Sequence, residues 1–553
     1  MVDVLIVVER SATEHPDIIG QMIQKDLRKY FQNLDITLED ISTSLREQAI
    51  EMVPNHGMAG TVSLTSVVLG TALKQSGIGF SVFDDDDIPT KHGDIFLNRV
   101  RDAKIVAIST TYIIARKHVL NLLKAVRDVA PDVPVILGGQ GIPSLNLDPF
   151  SGDDANIFDM VDYIVYGDGE DSFPDLCKRV LDGADTTDCA GVLTKTSGTW
   201  GEKPVPQTAD LEAAPVPDYA ILRETEINGA MLGDDFKPDY ASLEEGRGCA
   251  FRCRFCSYHV FSTFRRKSPE RIVAELKSVK EQGFDNASFV GAEFMAPIKH
   301  STKVLEAIVE ADLNMDIWLY ARLDLCARHP EIFPLLKKAG ANNLVFGMES
   351  GAETVLRNMK KYFDVEGMVE GAKLAKDMGF ELMASIILGY PGESKETLAT
   401  TTDVLRRCNF DQVFLHALNV LPDTPLWDLR EEFEIKVSTK TGYWAHKTMA
   451  LKDIPEATQN MMDALNRNSD SVFINVIRNL APGFVRPGKD YSNKKLERVS
   501  KILQDILSLE WSGGADRDSR REQWERLTQE CSQLPNYVID AARARETLAQ
   551  AGE

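Results

Sequence analysis

Three observations predict an α/β protein of several domains. Short β-branched apolar runs alternate with helical patterns twice along the chain, over residues 1–195 and again over 241–425. Between them, residues 196–240 carry several prolines and few periodic apolar positions, as a linker does. Beyond Leu421 the pattern turns helical, and we assign residues 426–553 to a helical C-terminal domain.

In the first unit the expected strands are Val4–Val8, Gly79–Phe83, Ile105–Ser109, Val133–Leu137 and Tyr163–Val165, with helices near Thr65–Gly77 and His118–Val129 between them. Strands alternating with helices favour a doubly wound, Rossmann-like parallel sheet, whose ligands sit beyond the carboxyl ends of the strands. The mostly helical stretch Asp17–Val53 has no assignment in that scheme. The second unit offers six strands, Ala241–Leu243, Asn286–Val290, Asp316–Ala321, Asn343–Phe346, Glu381–Leu388 and Gln412–Leu418, with helices such as Glu270–Gln282 and Val365–Met378 between them. Six such units predict an incomplete (βα)6 barrel with its active site where strands give way to loops. Helical stretches near Ile454–Arg467, Lys494–Leu509, Ser519–Leu534 and Ala541–Gln550 would close the open side of the barrel or roof the substrate.

At 43% hydrophobic and 26% charged, the 553 residues have the composition of an ordinary soluble globular protein, too long for one core. No run of 18 apolar residues occurs, and Met1–Glu9 lacks a basic leader, so no membrane association and a cytoplasmic location are expected. A net charge of −22 argues against nucleic acid as a partner. Eight cysteines are too sparse for a disulfide scaffold. Cys177, Cys189, Cys326, Cys408 and Cys531 are scattered and read as structural. Asp84–Asp87 reads as a solvated turn, and His15, His56 and His92 as surface or turn residues.

Cys249, Cys253 and Cys256 stand apart, forming C-x-x-x-C-x-x-C after Gly246-Arg-Gly248, with Phe255 before the last cysteine. Three thiolates can hold three irons of a [4Fe–4S] cluster and leave the fourth free, whereas a purely electron-carrying cluster usually takes a fourth Cys. On spacing alone, a Cys3His zinc site with His259 and unligated or disulfide-bonded thiols are alternatives.

This triplet and its flanks resemble the signature of the radical S-adenosylmethionine (SAM) enzymes. The resemblance implies that the open iron chelates SAM and that an electron from the cluster, delivered by a donor such as flavodoxin or ferredoxin, releases a 5′-deoxyadenosyl radical. Four later strand ends resemble further motifs of that family in the same order. Gly291-Ala292-Glu293 is similar to the segment that meets the SAM amino group, and Arg322 to the arginine that pairs with its carboxylate. Glu349 and Ser350, in Gly347-Met-Glu-Ser-Gly351, resemble the ribose-side element. Leu388-Gly389-Tyr390, in Leu388-Gly-Tyr-Pro-Gly-Glu393, resembles the turn near the adenine. Read without the resemblance, Gly291–Glu293 and Leu388–Tyr390 are also plain turns, and Glu349 and Ser350 also plain capping residues.

In the first unit, Ser109-Thr110, Gly138-Gly139-Gln140 and Gly167-Asp-Gly169-Glu170 follow strands and resemble elements of the cobalamin-binding domain that precedes many radical SAM domains. No D-x-H-x-x-G element is present, so the resemblance implies cobalamin without a lower histidine, its lower face near Ser109–Tyr112. Over residues 1–420 the chain thus resembles the cobalamin-dependent radical SAM enzymes. That implies a methyltransferase acting on an unactivated carbon of a small metabolite or peptide through methylcobalamin, in natural-product or cofactor biosynthesis. A cyclase or rearrangement enzyme without methyl transfer, and a tRNA-modifying radical SAM enzyme, are the alternatives.

Arg265, Arg266 and Lys267 precede Ser268, expected as an N-cap, and Pro269 at the first helical position, and are read as serving that helix entry. Tyr320, His416, Tyr443 and His446 are candidates for a proton relay or substrate contact, or for the barrel wall.

Overall fold

The computed structural model describes residues 2–8, 63–84, 93–111, 116–144, 155–221, 240–422, 424–438, 443–469 and 471–473, with isolated positions at 19, 22–23, 501, 504 and 507–508. The Asp17–Val53 stretch, His15, His56, His92, Asp85–Asp87, Tyr112, Cys531 and the helices expected after residue 494 lie outside these residues or are touched only at those positions.

The first unit is a seven-stranded sheet. Strands β1 (Val2–Val8), β2 (Phe80–Asp84), β3 (Ala103–Ser109), β4 (Val135–Gly138) and β5 (Tyr163–Val165) run parallel in the order β2-β1-β3-β4-β5. Side chains alternate across a strand. Accordingly Leu5 and Val7 enter one core with Val106, Ile108 and Leu137, while Val4, Ile6 and Val8 enter another with Ile105, Ala107 and Ile136. Both faces are thereby buried, as a doubly wound sheet requires. Two antiparallel strands, β6 (Val192–Thr196) and β7 (Thr199–Trp200), extend the β5 edge. β7 falls in the expected linker, where its two residues are too few to give a periodic signal.

The rest of the 196–221 stretch is tied down on both sides. Asp218 accepts a salt bridge from Lys74 at 3.0 Å, and its amide donates to Thr71 Oγ1. The Tyr219 hydroxyl donates to Ser242 O at 2.6 Å, and its amide donates to Gln282 Oε1 at 2.7 Å. One short segment therefore joins helix Leu64–Gln75 of the first unit to the barrel.

The barrel strands are β8 (Ala241–Leu243), β11 (Asn286–Phe289), β12 (Asp316–Ala321), β13 (Ala341–Glu349), β14 (Glu381–Leu388) and β15 (Gln412–Ala417), all parallel. A hairpin of β9 (Gly246–Arg247) and β10 (Arg265–Arg266) flanks the cysteine loop. The six expected strands are present, but a seventh, Val472–Phe473, pairs with β15 beyond the six-unit scheme. At two residues it carries no period of its own.

Capping follows the sequence. Ser268 Oγ accepts from Arg271 N at 3.1 Å to open helix Pro269–Glu281, with Pro269 in its first turn. The register puts Trp318, Tyr320, Met383, Ser385, Phe414 and His416 on the inner face of the barrel sheet. Their neighbours Leu319, Ala384, Ile386 and Leu415 lie in the core shared with the outer helices. Among the described residues no helix is long and apolar enough to cross a membrane.

Candidate active site

The cysteine loop leaves the β9–β10 hairpin at two close approaches. Gly246 lies against the Arg265 and Arg266 backbone, and Gly248, at φ +70°, lies against the backbone of residues 262–264, so a Cβ at either would collide with main chain. Arg254 then pins the loop to the barrel: its amide donates to Met359 O at 2.9 Å, its guanidinium to Asn358 O at 3.1 Å, and its carbonyl accepts from Leu426 N at 2.7 Å. Cys253 is buried, Cys249 and Cys256 are partly exposed, and all three are free thiols.

Packing pushes the three thiols up, Cys256 to about 12, while Lys361 and Arg322 pull Cys253 back toward the thiolate. Glu349 and Glu293 act in the opposite sense on Cys253 and Cys249. The zinc alternative requires four donors converging on one ion. Among the described residues no three Cys, His, Asp or Glu side chains so converge, although His259 Nδ1 is buried without a hydrogen-bond partner. A cluster distributes its thiolates over separate irons and needs no such point.

Around the triplet, the expected residues come together. Arg322 follows β12 with its guanidinium 3.8 Å from the Phe251 ring centroid and 4.7 Å from that of Phe363, and its Nε donates to Asp324 at 3.0 Å. Two aromatic rings and a carboxylate within reach suit a delocalised planar cation. A register shift between Gly347 and Glu349 bulges β13, and Glu349 adopts φ +64°. Its carboxylate meets Lys361 Nζ at 2.9 Å, both side chains being buried. Ser350 is buried as well. Its hydroxyl lies 3.1 Å from Thr401 Oγ1 and accepts from Ala352 N, the plain capping alternative.

Burial raises the Glu293 carboxyl to about 8, against the hydrogen bond it accepts from Met295 N at 2.8 Å and the positive charge of Arg322, whose amide also donates to it at 3.3 Å. Gly291 faces the carboxylate of Glu245, leaving no room for a Cβ. Glu245 pairs through one oxygen with Arg266 at 2.9 Å, while its Oε2 is buried without a partner. Arg266 also donates to the carbonyls of Glu293 and Ala296. The Arg265–Lys267 group thus has three separate jobs. Lys267 serves the helix by bonding Glu275 at 2.8 Å, Arg266 braces the Gly291–Glu293 loop, and Arg265 reaches Asp168 of the first unit at 2.8 Å.

At the end of β14, Gly389 has φ +90° and lies against the Trp444 ring, which is buried and stacked on His446. The Gly389 amide donates to Glu393, and its carbonyl accepts from His446 Nε2 at 2.9 Å. Tyr390 is buried edge-on to Phe255, ring centroids 6.4 Å apart. His446 is therefore a brace for this turn. Tyr320 and His416 stand on the inner barrel face, and Tyr443 is exposed.

In the first unit, Thr110 N and Oγ1 both donate to Gly138 O, at 2.7 and 2.8 Å, and Thr110 is fully buried. Gly139, at φ +99°, brings its backbone so near Thr110 and Thr111 that a Cβ would lie 2.7 Å from Thr111 N. The ends of β3 and β4 are thereby locked side by side, with Ser109 Oγ 3.0 Å from Thr111 Oγ1 and Gln140 partly exposed. Gly167 is packed on the backbone of Gln207, and Gly169 on Leu69. Glu170 pairs with Arg247.

Lys361, Phe251, Phe363, Asp324 and Glu245 were not singled out by sequence reasoning, and Arg247 stood out only as the middle of Gly246-Arg-Gly248. The acidic pair Glu244-Glu245 ahead of Gly-Arg-Gly was the one visible hint.

An incomplete parallel barrel carries a three-cysteine loop, an arginine at the end of β12 and a glycine turn at the end of β14, the arrangement that the sequence motifs of radical SAM domains led one to expect, together with a buried lysine after the helix that follows β13. Residues 244–405 match the Radical SAM superfamily, and this part of the chain is a radical SAM domain. Among curated relatives, the chain is 24% identical over 337 residues to an uncharacterized methyltransferase of Pyrococcus horikoshii, covering 59% of this chain and 69% of that protein. It is 26% identical over 290 residues to the hopanoid C-3 methylase of Methylococcus capsulatus, covering 51% of this chain and about half, 52%, of that protein's length. Among solved structures, the fold resembles TsrM of Kitasatospora setae, a radical S-adenosylmethionine methyltransferase with cobalamin and a [4Fe-4S] cluster bound, at a TM-score of 0.60, 16% identity and coverage of 97% of this chain and 100% of that one.

Proposed function

We propose that this chain is a cobalamin-dependent radical SAM methyltransferase that methylates an unactivated carbon of a small metabolite or peptide. When bound, the cluster and SAM supply a carbon radical strong enough to remove hydrogen from such a carbon, and cobalamin supplies the methyl group. Cys249, Cys253 and Cys256 would hold the cluster, with Lys361 and Arg322 offsetting its charge. Arg322, the Gly291–Glu293 loop and the Leu388–Tyr390 turn would hold SAM. The paired ends of β3 and β4 would hold cobalamin.

The observation that carries this reading is the direct ion pairing of the cysteine-loop hairpin with the strand-end corner of the first unit, Arg247 to Asp168 at 3.1 Å. It brings the cysteine-loop hairpin against the carboxyl-end side of the first sheet, which supports a substrate shared by the two units. Trp318, Tyr320, Phe414 and His416, lining the inner barrel face, suit a largely apolar or aromatic substrate. A low-potential one-electron protein donor and a reducing compartment complete the reading.

The test is anaerobic reconstitution followed by incubation with trideuteromethyl-SAM, a strong reductant, hydroxocobalamin and pools of metabolites and peptides. A product heavier by one labelled methyl, together with 5′-deoxyadenosine, is expected. Cleavage of SAM with an unlabelled, rearranged product would overturn methyl transfer, and loss of neither iron nor cleavage in Cys249→Ala, Cys253→Ala and Cys256→Ala would overturn the site.

A further inference from the structure

We propose that the β9–β10 hairpin is a two-arginine latch on the first unit, with Arg247 a positioning residue that couples the Gly167–Glu170 corner to the cysteine loop. The corner resembled a cofactor-contacting element in the sequence. In the structure its acidic side chains are committed elsewhere. Asp168 Oδ1 meets Arg247 at 3.1 Å, and Oδ2 meets Arg265 at 2.8 Å. Oδ2 also accepts from Ala209 N at 2.9 Å, and Arg265 returns a bond to Ala209 O at 2.6 Å. Glu170, its side chain 4% exposed, is spent on Arg247, which Glu244 engages from its own strand end at 3.0 Å.

The corner is rigid because Gly167 forms a bridge with Gln207, whose amide donates to Tyr166 O while its carbonyl accepts from Asp168 N. The hairpin is rigid because Gly246 and Gly248 admit main chain where side chains would otherwise stand. Arg247 is separated from Cys249 by Gly248 alone. A shift of the corner must therefore move either the ion pairs or the cluster loop. Three carboxylates meet two guanidiniums here, and each side chain is only partly exposed, so an unpaired member is costly to leave behind. The purpose assigned to the latch, holding two cofactor surfaces at a fixed gap, rests on the methyltransferase reading. The mechanical coupling does not.

Hydrogen exchange on the anaerobically reconstituted protein tests it, with Arg247→Met, Arg247→Lys, Asp168→Asn and the Arg247→Met/Asp168→Asn double variant. Without added cofactor, each of Arg247→Met and Asp168→Asn is expected to speed exchange at residues 166–170 and 247–256 at least fivefold while leaving β13 and β14 unchanged. The double variant should add little to either, and Arg247→Lys should recover part of the protection. Hydroxocobalamin added to wild type should protect 247–256 as well as the first unit, and in Arg247→Met the first unit alone. Additive loosening in the double variant, or loosening confined to one side of the junction, overturns the latch. If wild type shows no change in the hydroxocobalamin spectrum, the cobalamin reading fails, while the exchange of the unliganded variants still decides the coupling.

Discussion

Lys361 Nζ and Glu349 Oε1 meet at 2.9 Å in a buried pair, with the ammonium 5.9 Å from the centroid of the Phe255 ring in the cysteine loop. Removing one partner strands the other charge in a low dielectric, which typically costs about 3–5 kcal/mol, whereas replacing both can be far milder. Lys361→Met and Glu349→Leu should each destabilise the protein by about that much. The double variant should lose much less than their sum. Urea unfolding of the four forms closes the cycle.

Glu393 gives the pH dependence of the adenine-side turn. Burial raises its carboxyl to about 7, only partly opposed by the hydrogen bond from Gly389 N. The folded state therefore binds a proton that the unfolded state has released above the ordinary carboxylate range, so stability is full at low pH and falls as pH rises toward 7. Glu393→Gln keeps an oxygen acceptor for Gly389 and removes the titration. Its stability relative to wild type should climb between about pH 4.5 and 7 and then level off, by at most ~3 kcal/mol. Thermal melts across that range measure the difference.

Arg322 lies 3.8 and 4.7 Å from the ring centroids of Phe251 and Phe363 and donates through two nitrogens to Asp324. A lysine keeps the charge but neither stacks nor forks. Arg322→Lys should weaken SAM binding about tenfold or more, equivalent to about 1.4 kcal/mol or more, with the cluster retained. Calorimetric titration with SAM, alongside iron analysis, separates the two effects.

Gly389→Ala should cost about 2–4 kcal/mol, combining a left-handed backbone with overpacking against the Trp444 ring. In a Trp444→Leu background, itself weakened by loss of the buried indole and its bond to Leu418 O, adding Gly389→Ala should cost less than it does in wild type, the backbone strain remaining. Denaturation midpoints of the single and double variants provide the check.

Much of this architecture was legible because the signals were periodic or covalently local. β5, β8, β12 and β14 occupy the predicted spans, and Ser268 and Pro269 cap their helix as their chemistry dictates. The cysteine triplet needed no fold to be seen. What escaped detection depends on distant chain segments meeting. Lys361 reads as one of two adjacent lysines after a helix, and nothing local says that a bulge in β13 will aim Glu349 at it. Glu170 looked available for a ligand because its partner Arg247 lies far along the chain. His446 could be read as a relay or as a wall residue, and only the fold shows its ring supporting Gly389, from a segment beyond the six predicted strands.

The two-residue strand Val472–Phe473 has an outsized bearing on how this protein can be handled. It lies against β15 through Gln412 and Val413. A version trimmed ahead of Val472 would bare that stretch of hydrogen-bonding groups, inviting self-association of the kind uncovered sheet margins are prone to. Shortening the tail should therefore yield aggregates before it yields an inactive monomer.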